Sequence, residues 1–163
     1  MEDKKLQLNK NFEIKEVTAN KELIEDAAKW FSSKWGIDYA LYVESMKEGC
    51  NLNNIPKWYV VFNAEKKIIA GAGVIQNDFH KRKDLYPNLC AVYVEEAYRN
   101  LGIAKFLLNY IPNDVKKYGY KRIYLVTDHL NFYEKCGWNF LCMVNDFEDV
   151  PTRMYYFDIK NEE

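Results

Sequence analysis

Several features that mark other classes of protein are absent from this sequence of 163 residues or scarce in it. No apolar run approaches the roughly 18 residues that a membrane-spanning helix needs, so we expect no membrane contact. Residues 1–5 are charged with no hydrophobic segment behind them, and we therefore expect no secretory signal. Only two histidines occur, and none of the four cysteines forms a C-x-x-C pair. The sequence thus predicts no metal site and reduced, mostly buried thiols in a cytoplasmic protein.

A surplus of charge of either sign is also missing. The formal net charge is -1, and the Lys and Arg residues are scattered along the chain rather than clustered. Because nucleic-acid binding needs a basic face that neutralises phosphates, we expect no nucleic-acid partner. The 48% hydrophobic content and the length predict one globular domain over residues 1–163, with a full hydrophobic core.

Hydrophobic periodicity predicts an α/β fold in the order β-α-α-β-β-β-α-β-α-β-β. Because three strands follow one another before the main helix, we expect a mixed sheet rather than a doubly wound nucleotide fold. Gly71 and Gly73 lie inside one predicted strand and indicate a bulge or a close backbone approach. Pro112 lies inside the main helix and should kink or shorten it. The predicted strands cover 12–17, 58–62, 67–75, 89–94, 122–127, 138–144 and 153–158, and the helices cover 21–34, 38–48, 103–117 and 130–135.

The segment Arg99-Asn100-Leu101-Gly102-Ile103-Ala104 follows a nearly continuous apolar strand and opens a helix. Free N–H groups at a helix start, together with the helix dipole, favour an anion. A glycine at this point lets the backbone approach a phosphate with no Cβ in the way. By itself the R-x-x-G-x-A pattern is equally compatible with a plain strand–helix turn.

Two motifs together resemble the GNAT acetyltransferase superfamily. The stretch from Leu89 to Ala104 is similar to its motif A, in which [RQ]-x-x-G-x-[GA] follows a hydrophobic strand. About thirty residues further on, Asn131-Phe132-Tyr133-Glu134-Lys135-Cys136-Gly137-Trp138 resembles its F-Y-E-K-x-G-[FW] signature. The likeness implies the GNAT fold and acetyl-CoA as acetyl donor.

The resemblance also implies roles for individual residues. Val92, Tyr93 and Val94 would offer strand-edge backbone groups to the pantetheine arm. Arg99, Asn100, Leu101, Gly102, Ile103 and Ala104 would hold the pyrophosphate. Tyr133 would donate a proton to the departing thiolate, although a core tyrosine with a satisfied hydroxyl is the alternative. Many relatives carry an Asn where this chain has Val126, so either Asn131 or the pair Asp128 and His129 would replace its contact.

The amine acceptor needs a base, and several residues are candidates. Glu95, at the end of the central strand, is the predicted catalytic base, although a carboxylate at a strand end is commonly only solvated. Asp78 and His80, in the long loop before that strand, would bind the substrate or belong to a solvated loop. Asp128 and His129 end the next strand and would also face the substrate, or else cap the strand. Acceptor specificity is expected from the C-terminal strands and from the N-terminal helical region (Trp30, Trp35, Tyr39 and Tyr42). Trp30 and Trp35 follow helical spacing, so core packing is their default role.

The sequence therefore predicts acetyl transfer from acetyl-CoA to a primary amine of a small molecule, by direct attack in a ternary complex. Two alternatives remain open. One is a protein or peptide amine as acceptor, and the other is a non-catalytic acyl-CoA-binding module on the same fold. A homodimer is plausible because C-terminal strands often form dimer contacts in this superfamily.

Overall fold

The computed structural model describes residues 8–159, so the predicted absence of a signal at residues 1–5 lies outside the described part. Its elements follow the predicted order. The strands are β1 (Glu13–Glu16), β2 (Lys57–Phe62), β3 (Ile68–Ile75), β4 (Asn88–Val94), β5 (Arg122–Thr127), β6 (Asn139–Asn145) and β7 (Pro151–Asp158). The helices are α1 (Ile24–Trp35), α2 (Tyr39–Cys50), α3 (Ile103–Val115) and α4 (Phe132–Lys135), with short 3-10 turns between elements.

The seven strands form one mixed sheet in the order β1-β2-β3-β4-β5-β7-β6. Neighbouring strands are antiparallel except for β4 and β5, which run parallel. This pair is joined only at its start, where Asn88 lies opposite Tyr124. Beyond that point the two strands are not paired, so the sheet opens between them.

Helices cover both faces of the sheet, which gives a three-layer α/β arrangement. On one face α1 and α2 pack against β2 and β4 through a core that includes Phe31, Tyr42 and Trp58. On the other face α3 packs through Leu107, Ile111 and their neighbours. All four cysteines are free thiols, in agreement with the prediction from the sequence. No helix within residues 8–159 has both the length and the apolar character to cross a membrane.

Close packing explains the two strand glycines. A Cβ on Gly73 would lie 2.5 Å from the Trp58 ring, and one on Gly71 would lie 2.7 Å from Phe31. Opposite them, β4 places two residues, Ala91 and Val92, against one residue of β3, which is a β-bulge. Both readings of these glycines, close approach and bulge, are therefore confirmed.

Of the two effects expected of Pro112, a kink or a shorter main helix, the shortening is wrong, because α3 continues through Pro112 to Val115, and the kink stays a prediction. A proline has no N–H, so the carbonyl four residues earlier loses its helical partner. That carbonyl belongs to Leu108, and it accepts a hydrogen bond from the indole Nε1 of Trp138 at 3.1 Å. Trp138 is only 1% exposed. A distant buried side chain thus satisfies the group that the proline leaves free.

Candidate active site

The opening between β4 and β5 leaves backbone groups of a central strand without sheet partners. On the β3 side, β4 is paired through Tyr93 and Val94, and Val92 lies in the bulge. On the β5 side, β4 forms no ladder beyond Asn88 within the described residues. Unpaired N–H and C=O groups at a strand edge accept an extended chain as an additional strand. The structure therefore leaves this edge of β4 open for the role predicted from the resemblance, apart from the Val94 carbonyl, which accepts a hydrogen bond from Arg99 Nε.

The loop after β4 presents a row of unpaired amides. Within residues 8–159, the backbone N–H groups of residues 100–105 donate no hydrogen bond. Gly102 lies immediately before α3 with φ of 81°, and a Cβ there would meet no atom within 4 Å. The amides consequently face open space at the positive end of a 13-residue helix, where an anion is favoured.

Arg99 braces this loop. Its Nε donates to the carbonyl of Val94 at 3.0 Å, and its guanidinium lies 5.5 Å from the Tyr93 ring centroid. The side chain is exposed, so its remaining N–H groups are accessible to a phosphate. Of the remaining predicted phosphate-loop residues, Asn100 has a φ of 66°, Leu101 is exposed, and Ile103 and Ala104 form the first turn of α3.

A cleft of about 730 Å³ joins the β4–β5 opening to the α1–α2 layer. One end is formed by β4, β5 and α4, and the other by the junction of α1 and α2 together with the loop after β3. The first end is lined by Leu89, Cys90, Ala91, Val92, Leu125, Val126, Thr127, Asp128, His129 and Tyr133, and the second by Trp35, Ile37, Leu41, Tyr42, Ser45, Trp58, Ile75, Asp78 and Phe79. One space therefore connects the predicted cofactor strand to a separate wall of mostly apolar side chains.

Tyr133 lies at the first end, on the short helix α4, with 9% of its surface exposed. Burial raises the pKa of Tyr133, and a hydrogen bond with Thr127 partly opposes that rise. Because its pKa moves upward, the phenol stays protonated at neutral pH. Its ring is packed at 5.7 Å from Tyr155, which restricts the direction of the hydroxyl. A protonated phenol beside the cleft is suited to donate a proton.

Asp78 is the carboxylate at the other end of the cleft. Burial raises the pKa of Asp78 from 3.8 to about 6. Its carboxylate accepts no hydrogen bond from residues 8–159, and its backbone N–H donates to Asn88 Oδ1 at 3.1 Å. A carboxylate with a pKa close to the working pH, held by its backbone and free at its side chain, can accept a proton.

His80 does not line the cleft, in contrast to the prediction that it would help to bind the substrate. Its side chain is 0% exposed, and its Nε2 lies 2.5 Å from Asn88 Oδ1. The N–H of Arg82 donates to Nδ1, so Nε2 carries the proton and donates to the Asn88 oxygen. His80 and Asp78 thus share one acceptor, and the buried imidazole fixes the path of the loop.

Glu95 is also turned away from the cleft. Its Oε1 accepts a hydrogen bond from Trp30 Nε1 at 2.9 Å and forms an ion pair with Lys34. Both partners lie on α1, so the carboxylate connects the end of β4 to that helix. Its role as the base stays a prediction, and this geometry favours a positioning role.

Asp128 and His129 follow β5 and line the cleft, as expected. Asp128 accepts a hydrogen bond from the Thr152 hydroxyl at 3.3 Å, and the His129 N–H donates to Thr127 Oγ1 at 3.0 Å. Asn131 precedes α4 with φ of 72° and is not part of the cleft lining. The pair, rather than Asn131, is therefore placed to meet a chain that lies between β4 and β5.

Sequence reasoning did not single out Trp58 and Phe79, and it gave core packing as the default role for Trp30 and Trp35. Trp35 and Tyr42 line the cleft, whereas Trp30 and Tyr39 do not. Because residues three apart lie on one face of a helix, spacing alone does not separate Tyr39 from Tyr42, and only the assembled fold does.

Two parallel strands that part beside a helix start with unpaired amides form an arrangement that fits a long, phosphate-bearing ligand. A sequence model described as the Acetyltransferase (GNAT) family matches residues 20–138. The chain therefore belongs to the GNAT family of acetyltransferases, whose acetyl donor is acetyl-CoA. No sequence among the curated proteins matches it.

Solved structures of the same fold cover almost the whole chain. One is an aminoglycoside 6'-N-acetyltransferase complexed with coenzyme A, with a TM-score of 0.68 and 19% identity over 93% of this chain and 99% of that one. A GNAT-family acetyltransferase from Staphylococcus aureus Mu50 has a TM-score of 0.63 and 22% identity over 91% and 100%. A spermidine N-acetyltransferase mutant from Vibrio cholerae has a TM-score of 0.63 and 16% identity over 92% and 95%.

Proposed function

We propose that this protein transfers the acetyl group of acetyl-CoA to a primary amine of a small molecule, by direct attack while both are bound. The observation that carries the proposal is the single cleft that joins the β4–β5 opening to the wall containing Asp78. A buried phenol, Tyr133, lies at one end of the cleft and a free carboxylate lies at the other. Acetyl transfer to an amine needs a group that takes the amine proton and a group that protonates the leaving thiolate, and a candidate for each lines this one cleft.

The described residues fit acetyl-CoA. The amides of residues 100–105 and the guanidinium of Arg99 would hold the pyrophosphate, and the free edge of Val92, Tyr93 and Val94 would hold the pantetheine arm. The bulge in β4 lies at the cleft, where Ala91 has a φ of 54° and lines the wall with Val92. Bound acetyl-CoA supplies an activated acetyl thioester at this point.

Two side chains would handle the protons. An amine arrives mostly as the ammonium ion at neutral pH, and only the neutral amine has a free electron pair. Asp78 Oδ would bind the ammonium and take its proton, because a pKa of about 6 leaves the carboxylate ionised at neutral pH while keeping it a useful base. Tyr133 would hold a proton at Oη for the leaving sulfur, and its buried position keeps that proton in place.

Binding of the donor is tested by calorimetry with acetyl-CoA on the wild-type chain and on Gly102→Leu. We expect binding to be lost in Gly102→Leu, because a side chain at this φ strains the loop and occupies the space over the amides. Gly119→Leu is the matched control. Gly119 ends the turn after α3 with a φ of 90°, and a Cβ there would also meet no atom within 4 Å. Equal binding by both variants would contradict the phosphate site.

Turnover is tested by mass spectrometry of amines incubated with acetyl-CoA, a readout that the four free thiols do not disturb. The panel contains monoamines, polyamines, aminoglycosides, amino acids and a short peptide. An acetylated small amine supports the proposal, and acetylation of the peptide alone supports a peptide acceptor. Tight acetyl-CoA binding with no acetylated product would instead identify a non-catalytic acyl-CoA-binding module.

Two accompanying proposals concern the setting of the enzyme. Four free cysteines are typical of a reducing compartment, which supports the cytoplasm as its location. A homodimer through the C-terminal strands stays a prediction. Light scattering coupled to size exclusion measures the mass of the assembly in solution, and a mass of one chain would contradict the dimer.

A further inference from the structure

The acceptor end of the cleft is apolar and aromatic, and it carries few charges. Trp35 and Phe79 are 45% and 57% exposed and flank its entrance, while Ile37, Leu41 and Ile75 add aliphatic surface. Among the residues that line this end, Asp78 is the only charged one. Ser45 and Trp58 hydrogen-bond each other through Oγ and Nε1 at 2.9 Å, so the indole N–H is not available to a ligand. This wall therefore offers flat apolar surface around a single negative group.

A second polar group at this end has no partner. The Tyr42 hydroxyl is buried without a hydrogen bond, and the residue is 5% exposed. Buried hydroxyls nearly always have a partner, so a free one on the wall of a cleft points to a ligand that supplies it. The nearby Asp78 carboxylate contributes to raising the pKa of Tyr42 to about 12, after burial and Cys90.

The direction of this hydroxyl is fixed by packing. The Tyr42 ring stacks on Phe31 at 5.6 Å and meets the Trp58 ring edge-on at 5.4 Å. Because both neighbours belong to the core of the α1–α2 layer, packing holds the ring in one orientation. The Tyr42 phenol is thus preorganised beside Asp78 before any ligand binds.

From this pairing, and on the basis of the proposed acetyltransferase function, we infer that the acceptor is a primary monoamine carried on a flat apolar group. Its ammonium would bind Asp78 and donate a further hydrogen bond to Tyr42 Oη. The apolar group would lie against Trp35 and Phe79. Tyr42 would then be a specificity-determining residue of the acceptor site.

The same wall disfavours polycations. A polyamine or an aminoglycoside carries several ammonium or hydroxyl groups, and each one that is buried without a partner costs binding free energy. The acceptor end supplies one carboxylate and one free hydroxyl, and the other carboxylate of the cleft lining, Asp128, follows β5 and already accepts a hydrogen bond from Thr152. The solved relatives that are named for aminoglycoside and spermidine acetylation therefore share the fold, and the wall of this chain fits a different acceptor.

The test compares kcat/KM for phenethylamine, spermidine and kanamycin in the wild-type chain and in two variants. Tyr42→Phe removes only the unpartnered hydroxyl and keeps the ring packing. Tyr39→Phe is the matched control, since it removes a hydroxyl from the same helix outside the cleft. Calorimetry with acetyl-CoA and the melting temperature are measured for all three proteins.

We expect phenethylamine to be preferred over both polycations by at least tenfold. Tyr42→Phe should lower kcat/KM for phenethylamine by about tenfold or more, because a hydrogen bond to a charged group is lost, with acetyl-CoA affinity unchanged. Its melting temperature should be equal to that of the wild type or higher, because the variant no longer buries an unpartnered hydroxyl. Tyr39→Phe should behave like the wild type. Preference for spermidine or kanamycin, or equal activity of the two variants, would overturn the inference while leaving acetyl transfer intact. Product from none of the panel amines, with acetyl-CoA still bound, would overturn the proposed function and the inference with it.

Discussion

Replacing Asp78 by Asn should make the enzyme more stable and less active, and the gain in stability should depend on pH. Burial raises the pKa of this carboxyl from 3.8 to about 6. A carboxyl whose pKa rises on folding destabilises the folded chain wherever it is ionised. That penalty is absent below pH 3.8 and complete above about pH 6, and Asn carries none of it.

The size of the effect follows from the shift. Each tenfold change in an acid dissociation constant corresponds to about 1.4 kcal/mol, so ionised Asp78 costs about 3 kcal/mol at pH 8. At pH 4.5 the folded carboxyl is almost wholly protonated whereas most of the unfolded carboxyl is ionised, and the cost is about 1 kcal/mol. Asp78→Asn should therefore gain about 2 kcal/mol more free energy of unfolding at pH 8 than at pH 4.5, or roughly 4 to 8 °C in melting temperature.

Urea unfolding at the two pH values measures the difference, without ligand in either sample. Asp128→Asn is the control, because that carboxylate is exposed and its replacement should give no comparable gain at pH 8. In parallel, kcat of the wild type should decrease as the pH drops below about 6. This acidic limb of the pH–rate profile should be absent in Asp78→Asn, whose rate should be lower by about 10²-fold or more. Equal stabilisation at both pH values, or an unchanged limb, would refute the reasoning about Asp78.

Three further variants probe the rest of the site. Tyr133→Phe should lower kcat by about 10²-fold or more with acetyl-CoA affinity unchanged, measured by steady-state kinetics and calorimetry. Glu95→Gln should keep the acidic limb of the pH–rate profile, because Gln still accepts a hydrogen bond from Trp30 and the base lies elsewhere. Trp138→Phe should cost about 1 to 3 kcal/mol in urea unfolding, and less in a Pro112→Ala background, where a backbone N–H returns.

Each of these three predictions has an outcome that would contradict it. An unchanged rate in Tyr133→Phe would remove the phenol from the chemistry. Loss of the acidic limb in Glu95→Gln would restore Glu95 as the base. An equal cost of Trp138→Phe with and without Pro112 would show that the hydrogen bond to Leu108 contributes nothing, leaving only the packing of the indole.

Local patterns in the sequence predicted the elements and the donor end of the site. Alternating and continuous apolar runs depend on neighbouring residues alone, and so do the strand, glycine and helix start around Gly102. The acceptor end depends on contacts between distant segments. Asp78 reaches the cleft because His80 and Asn88 hold the loop from inside, and no local pattern shows that a histidine in a polar loop is buried. Tyr42 and Asp78 lie on separate elements, so only the assembled fold brings them to one wall.

The hydrogen bond between Trp138 and Leu108 also fixes a length along the chain. The backbone N–H of Trp138 donates to the carbonyl of Tyr133, and its indole N–H donates to Leu108. Trp138 therefore connects the segment that carries the phenol to the middle of α3. The start of the same helix carries the amides after Gly102. One inserted residue between Ile103 and Leu108 would turn that start by about 100° and move it by about 1.5 Å relative to the phenol. The number of residues in this stretch therefore sets the separation between the phosphate end and the acetyl end of the donor, and point substitutions are tolerated there more readily than insertions or deletions.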